Sequence, residues 1–383
     1  MDPALQQLID RVRAAAADGT PLAIRAGGTK DFYGNAVDAA EVLDPRPYRG
    51  IVAYTPTELV VTVRCGTPLA ELEAALDERG QMLPFEPPYF GGELPAPADG
   101  APPPLEPTIG GAVAAGLAGP RRAAYGPTGG GVRDFVLGAT LLDGRGNLLR
   151  FGGTVMKNVA GYDVARLLPG SLGTLGVIAE LSLKVLPRPP AEATLRFAMS
   201  QEEALHRMNE WAGQPLPVSA TVWANDLLYV RLSGAQAAVT AASTRLAAMH
   251  GGEPIDAEGA AALWRGVRDQ RHLFFSPEDL AARPLWRLSV PSTVEPLPLP
   301  GSQLIEWGGA LRWLRSEADA RTLRAQAEQA GGHATLFRGG SAELRAGGVF
   351  APLPPPLAAI NRRMKAEFDP AGVFNRGRMY PEY

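Results

Sequence analysis

Three glycine-rich segments of the chain could bind phosphate groups through their backbone. They are residues 24–34, 108–134 and 156–178, and they adjoin stretches typical of buried strands. Glycine lets backbone N–H groups approach a ligand closely, because no Cβ atom stands in the way. Hydroxyl groups that can contact anionic oxygens lie in or beside them, at Thr29, Thr108, Ser171 and Thr174. Used together, the segments would suit a phosphate-rich cofactor held mainly by amides.

The familiar nucleotide-binding motifs do not fit these segments. One glycine loop alone is usually no more than a turn. No G-x-G-x-x-G motif follows a predicted strand and opens a helix, and GGTK lacks the G-x-x-x-x-G-K-[ST] spacing of a P-loop. Neither a Rossmann domain nor a P-loop ATPase is therefore predicted.

Clustered metal ligands are missing from the sequence. Cys65 is the one cysteine, which excludes an intrachain disulfide and any cysteine-based zinc or iron–sulfur site. The histidines lack ligand spacing, and they are His206, His250, His272 and His333. No metal site is expected in this chain.

The charge balance argues against nucleic acid and membrane partners. The 383 residues include 37 Lys plus Arg and 40 Asp plus Glu, a net charge of −3, which gives no general attraction to polyanions. No apolar run reaches the roughly 18 residues that span a bilayer. The N-terminus also lacks the basic start and apolar core of a signal peptide. A cytoplasmic protein is expected.

Regular elements that would position the glycine segments are predicted around them. The N-terminus favours a helix that Asp2 caps and Gly19 ends. A short strand in PLAIRAGG follows, then the strand ELVVTVRCG and a helix with Thr67 as its N-cap. GATLLDGRGNLLRF is typical of a hairpin that turns at Asp143 and Gly144, and VIAELSLKVLP is typical of an alternating strand.

Composition divides the chain into three regions. Residues 1–190 are predicted as an α+β domain that ends at a group of prolines. Residues 191–350 alternate strand and helix patterns and are predicted as a second α+β domain with an antiparallel sheet. Residues 351–383 contain a helix to about Phe368, followed by a turn at Asp369 and Pro370.

Several stretches, taken in order, carry a family resemblance. They are IRAGGTK, PTELVVTVRCGTPLAELEAAL, LPFEPP, TIGGAVAAGLAGPRRAAYGPTGGGVRDFVLGATLLDGRG and KNVAGYDVARLLPGSLGTLGVIAELSLKVLP, followed near the C-terminus by FDPAGVFNRGRM. Residues 20–190 resemble the FAD-binding domain of the vanillyl-alcohol oxidase (PCMH-type) family. Within it, LPFEPP and MKNVAGYD are most similar to the FAD-binding E subunits of bacterial glycolate oxidases. The resemblance implies an FAD domain of two α+β subdomains, dividing near residue 50, and an α+β cap domain over the flavin ring.

The resemblance also implies which residues bind FAD. The family's pyrophosphate loop matches Arg25, Ala26, Gly27, Gly28, Thr29 and Lys30. The segment along the pyrophosphate and the flavin matches Thr108, Gly110, Gly111 and Gly116. The strand entry on the ribityl and adenine side matches Gly173, Thr174, Gly176, Val177 and Ile178. The tail asparagine that returns towards the isoalloxazine matches Asn375. Two further charges are candidates for fixing the loop of residues 156–178, namely Lys157 and Asp163.

At other positions the chain departs from the family. Some members tether the flavin through a histidine after the glycine loop, but GGTKDFYG has none, so non-covalent FAD is expected. Cys65 is expected to be a small buried residue and not a flavin tether. The cap lacks the histidine pair of the related D-2-hydroxyacid dehydrogenases. Arg287 is the candidate for clamping a substrate carboxylate, beside the simpler interpretation of a surface or salt-bridged arginine.

Three hypotheses of function remain open. The first is an FAD-binding redox subunit of a glycolate (2-hydroxy acid) oxidase complex, with a homologous catalytic FAD subunit and an iron–sulfur subunit as partners. The second is a self-sufficient FAD-dependent dehydrogenase of a small hydroxy acid or alcohol. The third is an assembly subunit that keeps the flavin fold without turnover. An FAD-dependent oxidoreductase is the predicted class, the isolated chain need not be active, and membrane association is expected only through partners.

Overall fold

The computed structural model describes two compact units of the chain. The described residues are 1–37, 39, 41–91, 106–126, 129–155 and 163–382, so Lys157 and the stretch KNVAGY lie outside them. Unit 1 comprises Met1–Leu117, Gly131–Pro187 and Pro352–Tyr383, and unit 2 comprises Ala118–Gly130 and Arg188–Ala351.

Unit 1 combines short strands with three helices and a C-terminal part. Its strands are β1 (Leu22–Ile24), β2 (Glu41–Leu43), β3 (Ile51–Thr55), β4 (Val60–Arg64), β5 (Gln81–Met82), β6 (Val136–Leu142), β7 (Leu148–Gly152), β8 (Val177–Lys184) and β9 (Leu186–Pro187). Its first helices are α1 (Pro3–Asp18), α2 (Leu69–Asp77) and α3 (Ile109–Ala115). An antiparallel sheet has the order β3-β4-β8-β6-β7, whereas β1 and β2 pair in parallel.

Helix α1 begins and ends as the sequence predicts. The carboxylate of Asp2 accepts a hydrogen bond from the backbone N–H of Ala4 at 2.9 Å, and Gly19 ends the helix with a φ of +70°. The buried face of α1 packs in one cluster with β1 and with Phe374 near the C-terminus. This apolar packing supports the strand that leads into the first glycine segment.

The prediction of Thr67 as a helix N-cap is wrong. Helix α2 begins at Leu69, and its N-cap position is Pro68. The Thr67 hydroxyl instead accepts from the backbone N–H of Gly50 at 2.8 Å and donates to the carbonyl of Arg64 at 2.7 Å. Its side chain therefore ties the end of β4 to the turn before β3.

The hairpin of β6 and β7 turns where the sequence predicts. Leu142 pairs with Leu148 across the hairpin. Asp143 holds the turn, because its Oδ1 accepts from the backbone N–H groups of Arg145 at 2.9 Å and Asn147 at 2.7 Å. Strand β8 alternates buried and half-buried residues from Ala179 onwards, also as predicted.

Unit 2 confirms the predicted α+β architecture with an antiparallel sheet. Its strands are β10 (Ala191–Ala198), β11 (Val218–Ala224), β12 (Leu227–Gly234), β13 (Glu253–Ile255), β14 (Leu285–Ser289), β15 (Ser302–Glu306), β16 (Leu311–Arg315) and β17 (His333–Arg338). Its helices are α4 (Gln201–Ala212), α5 (Gln236–His250), α6 (Ala257–Arg268), α7 (Ala320–Gln329) and α8 (Ala342–Ala346). Within the described residues the strand order is β13-β10-β12-β11-β15-β16-β14-β17.

The C-terminal part of the chain contributes a helix and a strand-like tail to unit 1. Helix α9 (Pro355–Phe368) ends where the sequence predicts. The tail then runs beside β1: the backbone N–H of Leu22 donates to Val373 at 2.7 Å, and that of Asn375 donates to Leu22 at 3.0 Å. The tail therefore brings Asn375 next to the first glycine segment.

Candidate functional site

A cavity of about 360 Å³ in unit 1 gathers three of the segments that the sequence singles out. The end of β1 and the loop after it form one wall, and helix α3 with Thr108 forms another. The turn at Leu172 and the C-terminal tail complete the described lining. The lining residues are Ala23, Ile24, Arg25, Ala26, Gly27, Gly28, Thr29, Lys30, Asp31, Ala36, Val37, Thr108, Gly111, Ala114, Ala115, Leu172, Asn375 and Arg378. We call this cavity the tail pocket.

Two glycines of the first segment are required by the backbone of the pocket wall. A Cβ atom on Gly27 would lie 1.5 Å from the carbonyl oxygen of Glu106, far inside van der Waals contact. Gly28 has a φ of +68°, a conformation that other residues adopt only with strain. The fold of the chain therefore requires glycine at both positions, and both residues line the cavity.

Lys30 is the cation of this wall that lacks a carboxylate partner. Its Nζ donates to the hydroxyl of buried Thr29 at 3.2 Å and lies 5.9 Å from the centre of the Phe90 ring. Burial lowers the pKa of Lys30 to about 8, since no ion pair of Lys30 exists among the described residues. Arg25 differs, because it is exposed and pairs with Asp31 at 2.7 Å. A phosphate in the cavity would supply the counter-ion that Lys30 lacks.

Arg378 is a pocket residue that the sequence reasoning missed. Its guanidinium donates to the carbonyl oxygens of Lys30 at 3.0 Å and Asn35 at 3.2 Å. These bonds fasten the loop after β1 to the tail. The sequence could have indicated Arg378, because it is a basic residue only three positions after Asn375, which was already a predicted site residue.

Asn375 joins separate walls of the pocket. Its Oδ1 accepts from the backbone N–H of Ile24 at 2.8 Å, and its Nδ2 donates to the carbonyl of Leu172 at 2.6 Å. Its φ of +41° is one that asparagine tolerates better than most residues. Both ends of the amide are thus used within the protein, and Asn375 shapes the cavity that it lines.

Helix α3 shows two uses of glycine. Thr108 caps the helix by accepting from the backbone N–H of Gly111 at 3.2 Å, and both residues line the pocket. Gly110 instead packs against Cys65, where an added Cβ would lie 2.6 Å from the cysteine Cβ. Gly116 ends the helix at a φ of +65° and packs closely on Gly170.

The predicted strand-entry residues are not among the described lining of the tail pocket. Gly173 lies directly behind it, since an added Cβ would approach the Nδ2 of Asn375 to 2.7 Å. Gly176 packs on the carbonyl of Leu142 in the same way. The others are buried in this turn and in β8, and they are Thr174, Val177 and Ile178. Asp163 lies 3.7 Å from Arg166, which accords with a role in fixing the loop.

Cys65 is buried, as predicted, at the end of β4. It is 2% exposed, and burial raises the pKa of its thiol to about 12. Such a thiol is almost entirely protonated at neutral pH and is a poor nucleophile.

Arg287 belongs to unit 2 and has an aromatic partner there. Its guanidinium carbon lies 5.3 Å from the centre of the Trp307 ring, and that of Arg122 lies 4.6 Å from the same ring. The indole N–H of Trp307 donates to the carbonyl of Gly119 at 3.0 Å. These contacts give Arg287 a role in packing within unit 2. The hypothesis that it clamps a substrate carboxylate stays a prediction.

The described residues contain neither a cluster of metal ligands nor a helix suited to cross a membrane. No group of three or more His, Cys, Asp or Glu side chains is placed there to hold a metal ion. No helix in that part of the chain is long and apolar enough to cross a membrane.

Comparison with known proteins decides the family. Residues 4–92 match the FAD binding domain family. The chain is 48% identical to glycolate oxidase subunit GlcE of Escherichia coli over 377 residues, which cover 98% of this chain and 97% of that protein. The chain belongs to the GlcE family. The predicted FAD-binding fold, the predicted glycolate oxidase family and the FAD-dependent oxidoreductase class are thereby confirmed.

More distant relatives match parts of this GlcE-family chain. Glycolate oxidase subunit GlcD of Bacillus subtilis is 30% identical over 46% of the chain and 34% of its own length. A D-lactate dehydrogenase of Anaerostipes hadrus is 34% identical over 38% of the chain and 26% of its own length. Among solved structures, alkyldihydroxyacetonephosphate synthase is similar with a TM-score of 0.62, covering 97% of this chain and 75% of the other at 14% identity. That likeness concerns the fold alone.

The residues of the tail pocket fit FAD. The pocket offers a donor set for a diphosphate. It consists of the backbone at Gly27 and Gly28, the hydroxyls of Thr29 and Thr108, and the ammonium of Lys30, which forms no ion pair with the described residues. FAD, when bound, supplies two-electron redox chemistry. The residues of the tail pocket would hold the anionic part of the cofactor.

Proposed function

We propose that this GlcE-family chain binds FAD non-covalently in the tail pocket and serves as a redox or supporting subunit of a glycolate oxidase complex. The observation that carries the proposal is the 48% identity to a GlcE subunit along 98% of the chain. The tail pocket supports it, because the first glycine segment, Thr108 and Asn375 meet there.

Lys30 is proposed to contact the diphosphate of FAD. Its ammonium has a pKa of about 8 because it is buried, so it is mostly protonated at neutral pH. An anion beside it would stabilise the charged form and raise that pKa again. Thr29 would present its hydroxyl to the same anion, and Arg378 would act indirectly by fixing the loop.

The proposed partners are a catalytic FAD subunit similar to GlcD and an iron–sulfur subunit. The partial match to GlcD supports a related flavoprotein as the first partner. An iron–sulfur cluster needs several thiolates, and the single Cys65 excludes such a site in this chain. We further propose a cytoplasmic location, with any attachment to a membrane made through the partners.

The experiment compares the chain alone with the assembled complex. The chain purified alone should show the visible absorption of oxidised flavin, and anaerobic glycolate should leave that absorption unchanged. In the complex, glycolate should bleach the flavin absorption. Bleaching in the isolated chain would contradict the dependent-subunit proposal and favour a self-sufficient dehydrogenase.

A chain that contains no FAD in any preparation would contradict the cofactor proposal. If the complex still turned over with such a chain present, the assembly hypothesis would replace it. Arg287, the carboxylate clamp that the self-sufficient dehydrogenase hypothesis would use, lies against the ring of Trp307.

A further inference from the structure

Helix α9 carries a buried lysine that the proposed cofactor contacts do not use. Lys365 is 6% exposed. Its Nζ donates to Asp369 at 2.6 Å, to the carbonyl of Thr174 at 2.8 Å and to the carbonyl of Phe374 at 2.8 Å. An ammonium group has three N–H donors, so each of them has an acceptor inside the protein.

Asp369 completes this buried network. It is 1% exposed, and its two oxygens accept from the backbone N–H groups of Val373 at 3.0 Å and Phe374 at 2.8 Å. Gly144 packs so closely that an added Cβ would lie 2.4 Å from Oδ1. The carboxylate therefore folds the tail back onto the end of α9.

Such a network is not explained by stability alone. Burying two charges costs solvation free energy that their attraction often only offsets, and apolar residues of similar size commonly serve as well. Yet Lys365 is the buried side chain of the 14-residue helix α9. The helix is therefore fixed to the rest of unit 1 by directed hydrogen bonds at this point, which specify position more closely than apolar contact does.

The network and Asn375 connect the same two segments. Lys365 bridges Thr174 and Phe374. Asn375, one residue after Phe374, donates to the carbonyl of Leu172, two residues before Thr174. Leu172 and Asn375 line the tail pocket, whereas Lys365 is not among its described lining residues. The hydrogen bonds of Lys365 and Asn375 therefore fix the distance between the turn at Leu172 and the C-terminal tail, and these two segments form part of the pocket wall.

We propose that Lys365 is a positioning residue for the cofactor pocket, acting with Asp369 to hold the Leu172 turn and Asn375 in the geometry that binds FAD. The proposal rests on the assignment of the tail pocket to FAD. In a Lys365→Met chain the Leu172 turn and the C-terminal tail separate more easily. Part of the binding free energy of FAD is then used to order these two segments.

The test measures the Kd for FAD in flavin-free protein, by flavin fluorescence, for the wild type and for Lys365→Met. We expect the Kd to rise about tenfold or more in the variant, because the cost of ordering lowers affinity without removing a ligand contact. The matched control is Leu183→Ala, which removes a fully buried side chain of β8 outside the pocket lining. It should lower the free energy of unfolding while changing the Kd by no more than about twofold.

A second measurement keeps the test informative if Lys365→Met is poorly stable. Hydrogen exchange of Asp369→Asn should show loss of protection in residues 369–376 with β8 unchanged. A wild-type Kd in Lys365→Met, or an equal rise in Leu183→Ala, would overturn the positioning role. Failure of the wild-type chain to bind FAD would instead reject the proposed function, and FAD retained by Gly28→Val would reject the pocket assignment.

Discussion

The side-chain amide of Asn375 donates to the carbonyl of Leu172 at 2.6 Å, across 203 residues of sequence. The other end of the same amide accepts from Ile24 at 2.8 Å. One side chain thus determines how the last residues of the chain meet the first strand and the turn before β8. The proposed cofactor pocket lies where these segments meet.

Replacing Asn375 should weaken both folding and FAD binding. Asn375→Ala leaves the Ile24 N–H and the Leu172 carbonyl without their partner, which should lower the free energy of unfolding by about 1–3 kcal/mol. Asn375→Asp is the matched control for backbone strain, because aspartate also tolerates the positive φ. It keeps an acceptor for Ile24 but places a carboxylate against a carbonyl. Denaturant unfolding of flavin-free protein should therefore show both variants less stable, and equal stability to the wild type would contradict this account.

The loop after β1 should not accept a side chain at Gly27. In Gly27→Ala the new Cβ would collide with the carbonyl of Glu106, so the loop must shift away from Glu106 and the cavity wall that it forms must change shape. FAD should then raise the melting temperature of the variant much less than that of the wild type. Gly153→Ala is the control, because its Cβ would meet no atom within 4 Å. An undiminished FAD-induced shift in Gly27→Ala would show that the loop does not contact the cofactor.

The affinity for FAD should depend on pH through Lys30. Its pKa of about 8 in the flavin-free pocket would rise when a diphosphate binds, so binding takes up a proton above that pH. The Kd should be nearly constant up to about pH 7 and weaken by about tenfold between pH 7 and 9. Lys30→Arg should bind with little pH dependence, because arginine remains charged. A flat profile in the wild type would exclude Lys30 from contact with the anion.

The same lowered pKa predicts the opposite pH trend for folding without FAD. Unfolded Lys30 keeps its proton to about pH 10.5, whereas the folded, flavin-free form loses it above about 8. The unfolded state then binds more protons, so this residue adds stability as the pH rises through that window. Chemical denaturation of wild type and Lys30→Met at a series of pH values would measure the difference.

The flavin should be released intact when the protein is denatured. A thiol pKa of about 12 for Cys65 leaves only about one thiol in 10⁵ ionised at pH 7, so this cysteine is a poor candidate for a flavin link. Acid precipitation should leave the yellow colour in the supernatant. Colour retained in the precipitate of the wild type, and lost from that of Cys65→Ala, would show a covalent bond.

Arg287 should matter for packing and not for substrate. Arg287→Met removes the stacking on Trp307, which should cost about 0.5–2 kcal/mol of unfolding free energy. The KM of the assembled complex for glycolate should remain unchanged. A large rise in KM without loss of stability would revive the carboxylate-clamp hypothesis.

The sequence predicts much of this fold for identifiable physical reasons. The capped helix α1, the Asp143 hairpin and alternating β8 each have local signals that packing reinforces. Within residues 191–350 the sequence predicts alternating strands and helices without the bounds of β15, β17 or α6, and two glycines interrupt the helical pattern of α6. Thr67 has the right type for a cap, but its hydroxyl bonds to Gly50 and Arg64, which only the tertiary structure reveals.

The candidate site was predictable only in part. Gly28 needs its positive φ and Gly110 packs on Cys65, so each requires glycine for a different reason, yet the two look alike in the sequence. Lys365 and Asp369 are four residues apart and resemble an ordinary surface pair on a helix. Their burial depends on the C-terminal tail, which folds back over them, and no local sequence pattern predicts this burial.

The most direct test of the central claim is the FAD content per chain of the wild type and of Gly28→Val, purified in parallel. Valine at a φ of +68° should distort the loop of the tail pocket while the remaining core keeps the chain folded. We predict about one FAD per wild-type chain, as expected for a single site, and almost none in Gly28→Val, with equal far-ultraviolet circular dichroism. Equal FAD content in the two proteins would contradict the assignment of this pocket to the cofactor.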